Sequence, residues 1–231
     1  MDRSDSIIKK LSFVHIPKTA GLSLHAELEK YFGKENSLRV GNQEMRSVFL
    51  SMKVNELKNY SYISGHISFS ELSERGINYP AISVLREPVR RLISLQNYIT
   101  NSNHKEHEGI GYDNIELLLQ EMFYKNKCNL QCWHLCGRPS FELAVESIKK
   151  NNIFVVPLEY YQDLIETLSE LLGTPLINRH INVTQYKTVV DADDLKYDLL
   201  DPVLGDDKKL FLYVTQNYEN LKQGFIRSLR S

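Results

Sequence analysis

Short apolar runs alternate with longer amphipathic segments along most of this chain. Four runs are short and apolar enough to be strands of a covered sheet: Leu11–Ile16, Tyr60–Ser64, Pro80–Leu85 and Ile153–Val156. Helical periodicity is found at Gly21–Phe32, Glu44–Tyr60, Pro88–Thr100, 112–125, 128–136, 140–150, Glu159–Leu172 and Asp206–Leu221. This alternation predicts an α/β fold in which helices flank a central parallel sheet. No linker or repeat divides the sequence, so we expect one domain over residues 11–231 after a short polar segment, residues 1–10.

The composition argues against several classes of protein. The chain has 231 residues, with 28 Lys and Arg against 29 Asp and Glu, and a formal net charge of -1. Proteins that bind nucleic acid usually carry a basic excess, so we expect no nucleic-acid partner. No stretch approaches the roughly 18 apolar residues of a membrane span, and no signal-peptide core is visible. We therefore expect a cytoplasmic protein without a membrane span.

Three cysteines, Cys128, Cys132 and Cys136, recur every four residues. On a helix this spacing places the sulfur atoms along one stripe. It is not the spacing of known zinc sites, and three cysteines are too few for a disulfide framework. We predict that they pack as small apolar side chains, and we expect no metal site.

The turn between the first run and the first helix, residues 15–23 (HIPKTAGLS), carries the strongest functional signal. Lys18 offers a positive charge, and the start of the following helix offers free N–H groups and a favourable dipole. Its neighbours add hydroxyl groups and small side chains that let an anion approach the backbone: Thr19, Ala20, Gly21 and Ser23. The layout resembles a P-loop, but the GxxxxGKS/T spacing is absent. The residues alone leave open an anion-binding turn or a plain helix start.

Three segments together resemble a known family. The sequence FVHIPKTAGLSL (residues 13–24) closely resembles the 5′-phosphosulfate segment of sulfotransferases that use 3′-phosphoadenosine 5′-phosphosulfate (PAPS). The HIPKTAG form is typical of the carbohydrate branch, which includes heparan sulfate 2-O-sulfotransferase and its bacterial relatives. VLREPVRRLIS (residues 84–94) resembles the family's 3′-phosphate segment, and ISGHISF (residues 63–69) is similar to the GHxxF segment with the catalytic histidine. These segments and weaker ones, at 129–137, 156–159 and 178–184, follow the family's order over residues 11–220.

The resemblance implies a role for each matching residue. His66 would act as the catalytic base, and Lys18 would stabilise the leaving group. Arg86 and Ser94 would bind the 3′-phosphate of the cofactor. The 5′-phosphosulfate would lie against the turn residues Pro17, Lys18, Thr19, Ala20, Gly21, Leu22 and Ser23. No metal is implied, because side chains supply the positive charge.

This sequence departs from the family pattern at three positions. Leu22 stands where the family usually has Thr, and Ser64 stands where the 2-O-sulfotransferase relative has a second histidine. Glu87 replaces the usual Asp, which is a mild change. The first two departures each remove a polar group from the expected site.

The resemblance implies a P-loop-kinase-like sulfotransferase fold and a bacterial enzyme that moves a sulfuryl group from PAPS to a hydroxyl. The acceptor would be a small molecule or a glycan, with the hydroxyl on a sugar. A nucleotide-dependent phosphotransferase is disfavoured, because the Walker spacing and a metal-binding carboxylate are missing. A non-catalytic module that binds PAPS or its product PAP stays open, because of Leu22 and Ser64.

Other charged residues receive simpler interpretations. Arg90 and Arg91 are expected on a solvated helix face or near the acceptor, and His15 is expected to be a core histidine. His104 and His107 fall in a polar segment, residues 101–111, that we predict to be a mobile loop.

Overall fold

A five-stranded sheet forms the centre of the computed structural model, which describes residues 6–101, 115–177 and 198–230. The strands stand in the order β2-β3-β1-β4-β5, and every neighbouring pair is parallel. Their bounds are β1 Leu11–Val14, β2 Ser37–Val40, β3 Tyr62–Gly65, β4 Ala81–Leu85 and β5 Phe154–Pro157. The predicted α/β domain with a central parallel sheet is confirmed.

Helices cover both faces of this sheet. Those in the described residues are α1 Gly21–Phe32, α2 Gln43–Ser51, α3 Val54–Leu57, α4 Phe69–Glu74, α5 Pro88–Asn101, α6 Ile115–Tyr124, α7 Leu130–Cys136, α8 Phe141–Asn151, α9 Tyr161–Leu172, α10 Leu200–Gln216 and α11 Tyr218–Ser228. Side chains of α1, α9 and α11 form one core with the sheet, and side chains of α4, α7, α8 and α10 form the other. None of these helices combines the length and the apolarity that a bilayer-spanning segment needs.

Alternate strand residues belong to the two cores. In β1, Leu11 and Phe13 pack under α1, whereas Val14 packs on the opposite face. All three are fully buried. Burial on both faces explains why β1 is mostly apolar rather than alternating, with Ser12 buried among its apolar residues.

Three elements differ from the prediction. The helix predicted at Glu44–Tyr60 is two helices, because the backbone at Met52 and Lys53 is extended (ψ 147° and 149°). The helix predicted at Asp206–Leu221 is likewise divided, with α10 ending at Gln216 and α11 beginning at Tyr218. Strand β2 was not predicted, because it is short, lies at the sheet edge and is partly exposed.

The end of α9 follows the prediction. Helix α9 stops at Leu172, and Gly173 adopts the left-handed conformation (φ 65°) that ends many helices. The expectations for the loop histidines His104 and His107 and for segment 178–184 lie outside the described residues.

Candidate active site

The strand order places a crevice between the ends of β1 and β4. The chain leaves β1 for β2 on one side of the sheet, and it leaves β4 for β5 on the other side. The loops after two such neighbouring strands diverge, and ligands of open parallel sheets bind in the space between them. Lys18 lies in the loop after β1, and Arg86 directly follows β4. The topology therefore brings together two cations that are 68 positions apart in the sequence.

The loop after β1 has an unusual backbone. Lys18 (φ 72°) and Ala20 (φ 62°) are both left-handed, although neither is glycine. Left-handed residues with a side chain are uncommon, and they concentrate at functional sites. Between them, Thr19 is fully buried, and its hydroxyl donates to the Ile16 carbonyl at 2.9 Å. Thr19 thus stabilises the turn with its hydroxyl, and the residue is buried away from solvent.

Gly21, the first residue of α1, lies against the ring of His15. A Cβ atom at this position would overlap the His15 ring and approach the Phe13 ring at 2.9 Å. His15 is buried as expected, and its ring stacks on Phe13 with centroids 5.3 Å apart. Burial and the neighbouring His66 hold the pKa of His15 well below the ordinary histidine value. Gly21 is therefore required by its packing against His15. Its missing side chain also lets a ligand approach the start of α1.

Lys18 and Arg86 meet at the crevice. Nη1 of Arg86 donates to the Lys18 carbonyl at 3.3 Å, and Nζ of Lys18 lies 4.1 Å from the centroid of the Tyr98 ring. Burial and the charge of Arg86 lower the pKa of Lys18. Burial also lowers the pKa of Arg86, and Arg90 adds to this. Neither cation forms an ion pair with a carboxylate of the described residues. An anion bound here would relieve their mutual repulsion.

The remaining expected cofactor ligands lie on helix α5 and around the turn that leads into α1. Ser94 is partly buried on α5, one turn before Tyr98, so both side chains lie on the same face of the helix. Pro17 is partly buried, and Ser23 is buried at the start of α1. Leu22 is 39% exposed and points away from the core.

His66 directly follows β3, next to the end of β1. Its Nδ1 lies 2.8 Å from the His15 carbonyl, which can only accept, so Nδ1 carries the proton and the neutral ring has its lone pair on Nε2. The ring centroids of His66 and His15 are 4.7 Å apart. Burial is the main cause that lowers the pKa of His66, and Arg39 adds to it, whereas the bond to the His15 carbonyl acts in the opposite direction. His66 therefore has a free acceptor nitrogen at neutral pH.

Sequence reasoning missed Arg39, an exposed residue of β2. Its charge contributes to the lowered pKa values of His15, His25 and His66, so it lies within electrostatic reach of all three rings. The alternation of Leu38 and Val40 around it was the available signal for a strand.

Ser64 belongs to a buried polar cluster. Its Oγ lies 2.7 Å from Nδ1 of His25, which is also 3.3 Å from the Tyr62 hydroxyl. Burial, with a smaller effect of Arg39, lowers the pKa of His25 to about 4. Ser64 is thus hydrogen-bonded to a residue of α1 inside the fold.

Two side chains, those of Glu87 and Gln131, hold the segment after β4. The Glu87 carboxylate accepts from the N–H groups of Val89 (3.0 Å) and Arg90 (2.7 Å), so it caps α5 rather than pairing with Arg86. The side chain of Gln131, which sequence reasoning mentioned only as part of a weak likeness, binds the Arg86 backbone.

The expectation for Arg91 is wrong. Arg90 is exposed, but Arg91 is fully buried where α5 packs against the rest of the fold. Adjacent helix residues point about 100° apart, and this turns Arg91 into the core while Arg90 faces solvent. Cys132 is fully buried in the core, whereas Cys128 and Cys136 are partly buried. Within the described ranges no three side chains are grouped as metal ligands.

No protein-family model matches this sequence, and no curated protein matches it. Among solved structures, the chain is similar to the mouse sulfotransferase SULT7A1, whose structure was solved as a complex with PAP. The two share 14% identity with a TM-score of 0.46, and the match covers 74% of this chain and 60% of that chain. A likeness this distant assigns no activity, and the match spans less than two thirds of that sulfotransferase.

Proposed function

We propose that this chain is a PAPS-dependent sulfotransferase that moves a sulfuryl group to a hydroxyl of a sugar or glycan. The observation that carries the proposal is the contact between Lys18 and Arg86 at the ends of β1 and β4, where the chain connections diverge. His66 lies at the end of β3, the strand on the other side of β1. The sugar acceptor rests on the likeness of the HIPKTAG segment to the carbohydrate branch.

The described residues fit a nucleotide that carries charge at two ends. Lys18 and the start of α1 form one anion-binding region, and α1 has no acidic residue in its first turn. Arg86, which follows β4, and Ser94, which lies on α5, would form the second. Two regions of this kind suit a 5′-phosphosulfate and a 3′-phosphate on one ribose. Bound PAPS would supply an activated sulfuryl group with PAP as its leaving group.

His66 is suited to take the proton of the attacking hydroxyl. Its Nε2 is the free acceptor, and its Nδ1–H bond to the His15 carbonyl stabilises the imidazolium that forms. General-base assistance of this kind contributes about 10²–10⁴-fold to a rate. Lys18 supplies positive charge where negative charge develops on the departing phosphate, which is an electrostatic contribution.

The test is transfer of radiolabelled sulfur from PAPS to a panel of sugars and glycans. The wild-type chain should label an acceptor, and His66→Gln should lower the rate by about 10²–10⁴-fold while PAP affinity is retained. Lys18→Ala should reduce transfer more than it weakens PAP binding, because it acts mainly on the leaving group. Lys209→Ala, an exposed lysine paired with Asp206 on α10, is the matched control.

Two results would contradict this proposal. If His66→Gln transferred label as fast as the wild type, His66 would not be the base. If the wild type bound PAP tightly but labelled no acceptor in the panel, the non-catalytic binding module would be the better account.

A further inference from the structure

The backbone of Arg86 is held by a side chain, not by the sheet. The β4–β5 ladder ends at the pair Leu85 and Pro157, one residue before Arg86. At Arg86 the backbone is hydrogen-bonded by the side-chain amide of Gln131 instead. Its Oε1 accepts from the Arg86 N–H at 3.0 Å, and its Nε2 donates to the Arg86 carbonyl at 3.0 Å. One amide thus satisfies both backbone groups of the residue that faces Lys18.

Gln131 is itself fixed from another helix. It is fully buried near the start of α7, and its backbone N–H donates to the Asp207 carboxylate at 3.1 Å. The other oxygen of the same carboxylate accepts from the Cys132 N–H at 2.9 Å. Asp207 lies on α10 and is fully buried, so a residue distant in sequence caps the start of α7.

The contact between α7 and α10 is reciprocal. Oδ1 of Asn129, just before α7, accepts from the N–H groups of Asp206 (3.0 Å) and Asp207 (3.2 Å). The Asn129 N–H donates to the Val203 carbonyl at 2.7 Å. Because every group in this chain of bonds is paired, the position of Gln131 is closely determined. The position of the Arg86 backbone follows from it.

We propose that Gln131, anchored by Asp207, is a positioning residue that directs the Arg86 side chain and so sets the preference of the site for nucleotides with a 3′-phosphate. This inference rests on the proposed function. A misplacement of about 1 Å is enough to weaken a site of this kind strongly, even when no contacting residue is lost.

The test compares the dissociation constants of PAP and AMP, which differ in the 3′-phosphate, by calorimetry on the full chain. Gln131→Met keeps the length of the side chain and removes both bonds to Arg86. We expect the preference for PAP over AMP to fall about tenfold, because a displaced Arg86 would weaken its charge-assisted contacts with the 3′-phosphate, while AMP affinity stays near the wild-type value. Gln131→Glu keeps the acceptor and loses the donor, so it should give a smaller loss. If Gln131→Met does not fold, the PAP and AMP affinities of Gln131→Glu are compared with those of the wild type instead.

A double mutant separates positioning from a merely structural role. Arg86→Met should remove the preference for PAP, and adding Gln131→Met to it should lower that preference no further, because Gln131 acts through Arg86. Gln162→Met is the matched control. This exposed glutamine bonds to Glu166 on the surface of α9, and its loss should leave both affinities unchanged.

Folded Gln131→Met with the wild-type preference would overturn the inference, and so would equal losses of PAP and AMP affinity. A wild-type chain that does not prefer PAP to AMP, or Arg86→Met that retains the preference, would overturn the proposed function and the inference with it.

Discussion

His66 is largely enclosed, yet one of its ring nitrogens keeps a lone pair for a ligand. The enclosure comes from His15, whose ring faces it and whose carbonyl holds its Nδ1 proton. Burial disfavours the charged imidazolium, and the nearby charge of Arg39 disfavours it further. The group is therefore neutral, and able to accept a proton, over a wider pH range than an exposed histidine.

We expect the pKa of His66 to lie below the ordinary histidine value of 6.5. Arg39→Gln should raise it, because loss of the neighbouring positive charge makes protonation easier. The measurement is an NMR titration of the imidazole C–H signals, with His66→Gln used for assignment. An activity that needs neutral His66 would fall as the pH drops through the same lowered pKa. A wild-type pKa at or above 6.5, or no change in Arg39→Gln, would contradict this picture.

Gly21 is a residue whose side-chain position is already occupied. A methyl group there would overlap the His15 ring, so Gly21→Ala must displace His15 or shift α1. We expect a loss of about 1–3 kcal/mol in the free energy of unfolding, measured by urea denaturation.

Gly205→Ala is the matched control for this substitution. Gly205 lies inside α10, and a Cβ there would meet no atom within 4 Å. Alanine is the better helix former, so this variant should gain about 0.5–1 kcal/mol. Equal effects of the two substitutions would show that His15 does not occupy the space described.

Helices α7 and α10 are joined through one buried carboxylate. Asp207 accepts hydrogen bonds from two N–H groups at the start of α7. Its negative charge also favours the charged form of the buried Arg91. The Arg91 guanidinium has no hydrogen-bond partner among the described residues. Removing Asp207 would therefore leave a buried charge uncompensated and a helix end uncapped.

We predict that Asp207→Ala lowers the free energy of unfolding by about 3–5 kcal/mol, because it leaves two buried N–H groups without an acceptor and the buried Arg91 without the negative charge near it. Asp201→Ala should cost less than about 1 kcal/mol, because this carboxylate on the same helix is exposed and pairs with Lys208 at the surface. Chemical denaturation of both variants gives the comparison. A loss below about 1 kcal/mol in Asp207→Ala would contradict the structural role given to this carboxylate.

The elements that the sequence predicted are those with a strong local signal. Strand β1 is a short, mostly apolar run, and α9 ends at a glycine followed two residues later by proline. Strand β2 and the breaks after Ser51 and Gln216 lack such signals, because pairing and packing partners elsewhere in the chain decide them. The buried state of Arg91 depends in the same way on Asp207, which lies over a hundred residues away in the sequence.

In the candidate site, too, the residues with a local sequence signal were predicted and those fixed by distant contacts were not. The turn around Lys18 and the position of Arg86 after a strand were both predicted from local sequence, although their cofactor roles remain proposals. The supports of these residues were not predicted. Gln131 reaches Arg86 across 45 positions, and Arg39 lies on the missed strand. Such contacts are set by the tertiary fold and leave little trace in local sequence.

At the scale of the whole molecule, the fold brings two cations together in a chain whose composition is nearly neutral. The chain has a formal net charge of -1, yet the switch point of the sheet holds Lys18 and Arg86 in contact through the Lys18 carbonyl. The strand order, not an excess of basic residues, creates this local positive region. A nucleotide with several negative charges can therefore be recognised by a nearly neutral chain.

The most direct test of the proposed sulfotransferase is an equilibrium titration of the full chain with PAP and with ATP, by calorimetry in the same buffer. If the site binds both the 5′- and the 3′-phosphate, PAP should bind with one-to-one stoichiometry and at least about a hundredfold more tightly than ATP. The reason is that ATP has no 3′-phosphate and would lose charge-assisted contacts of roughly 1.5–3 kcal/mol each. ATP binding as tight as PAP, or no binding of PAP, would contradict the assignment of this crevice to PAPS.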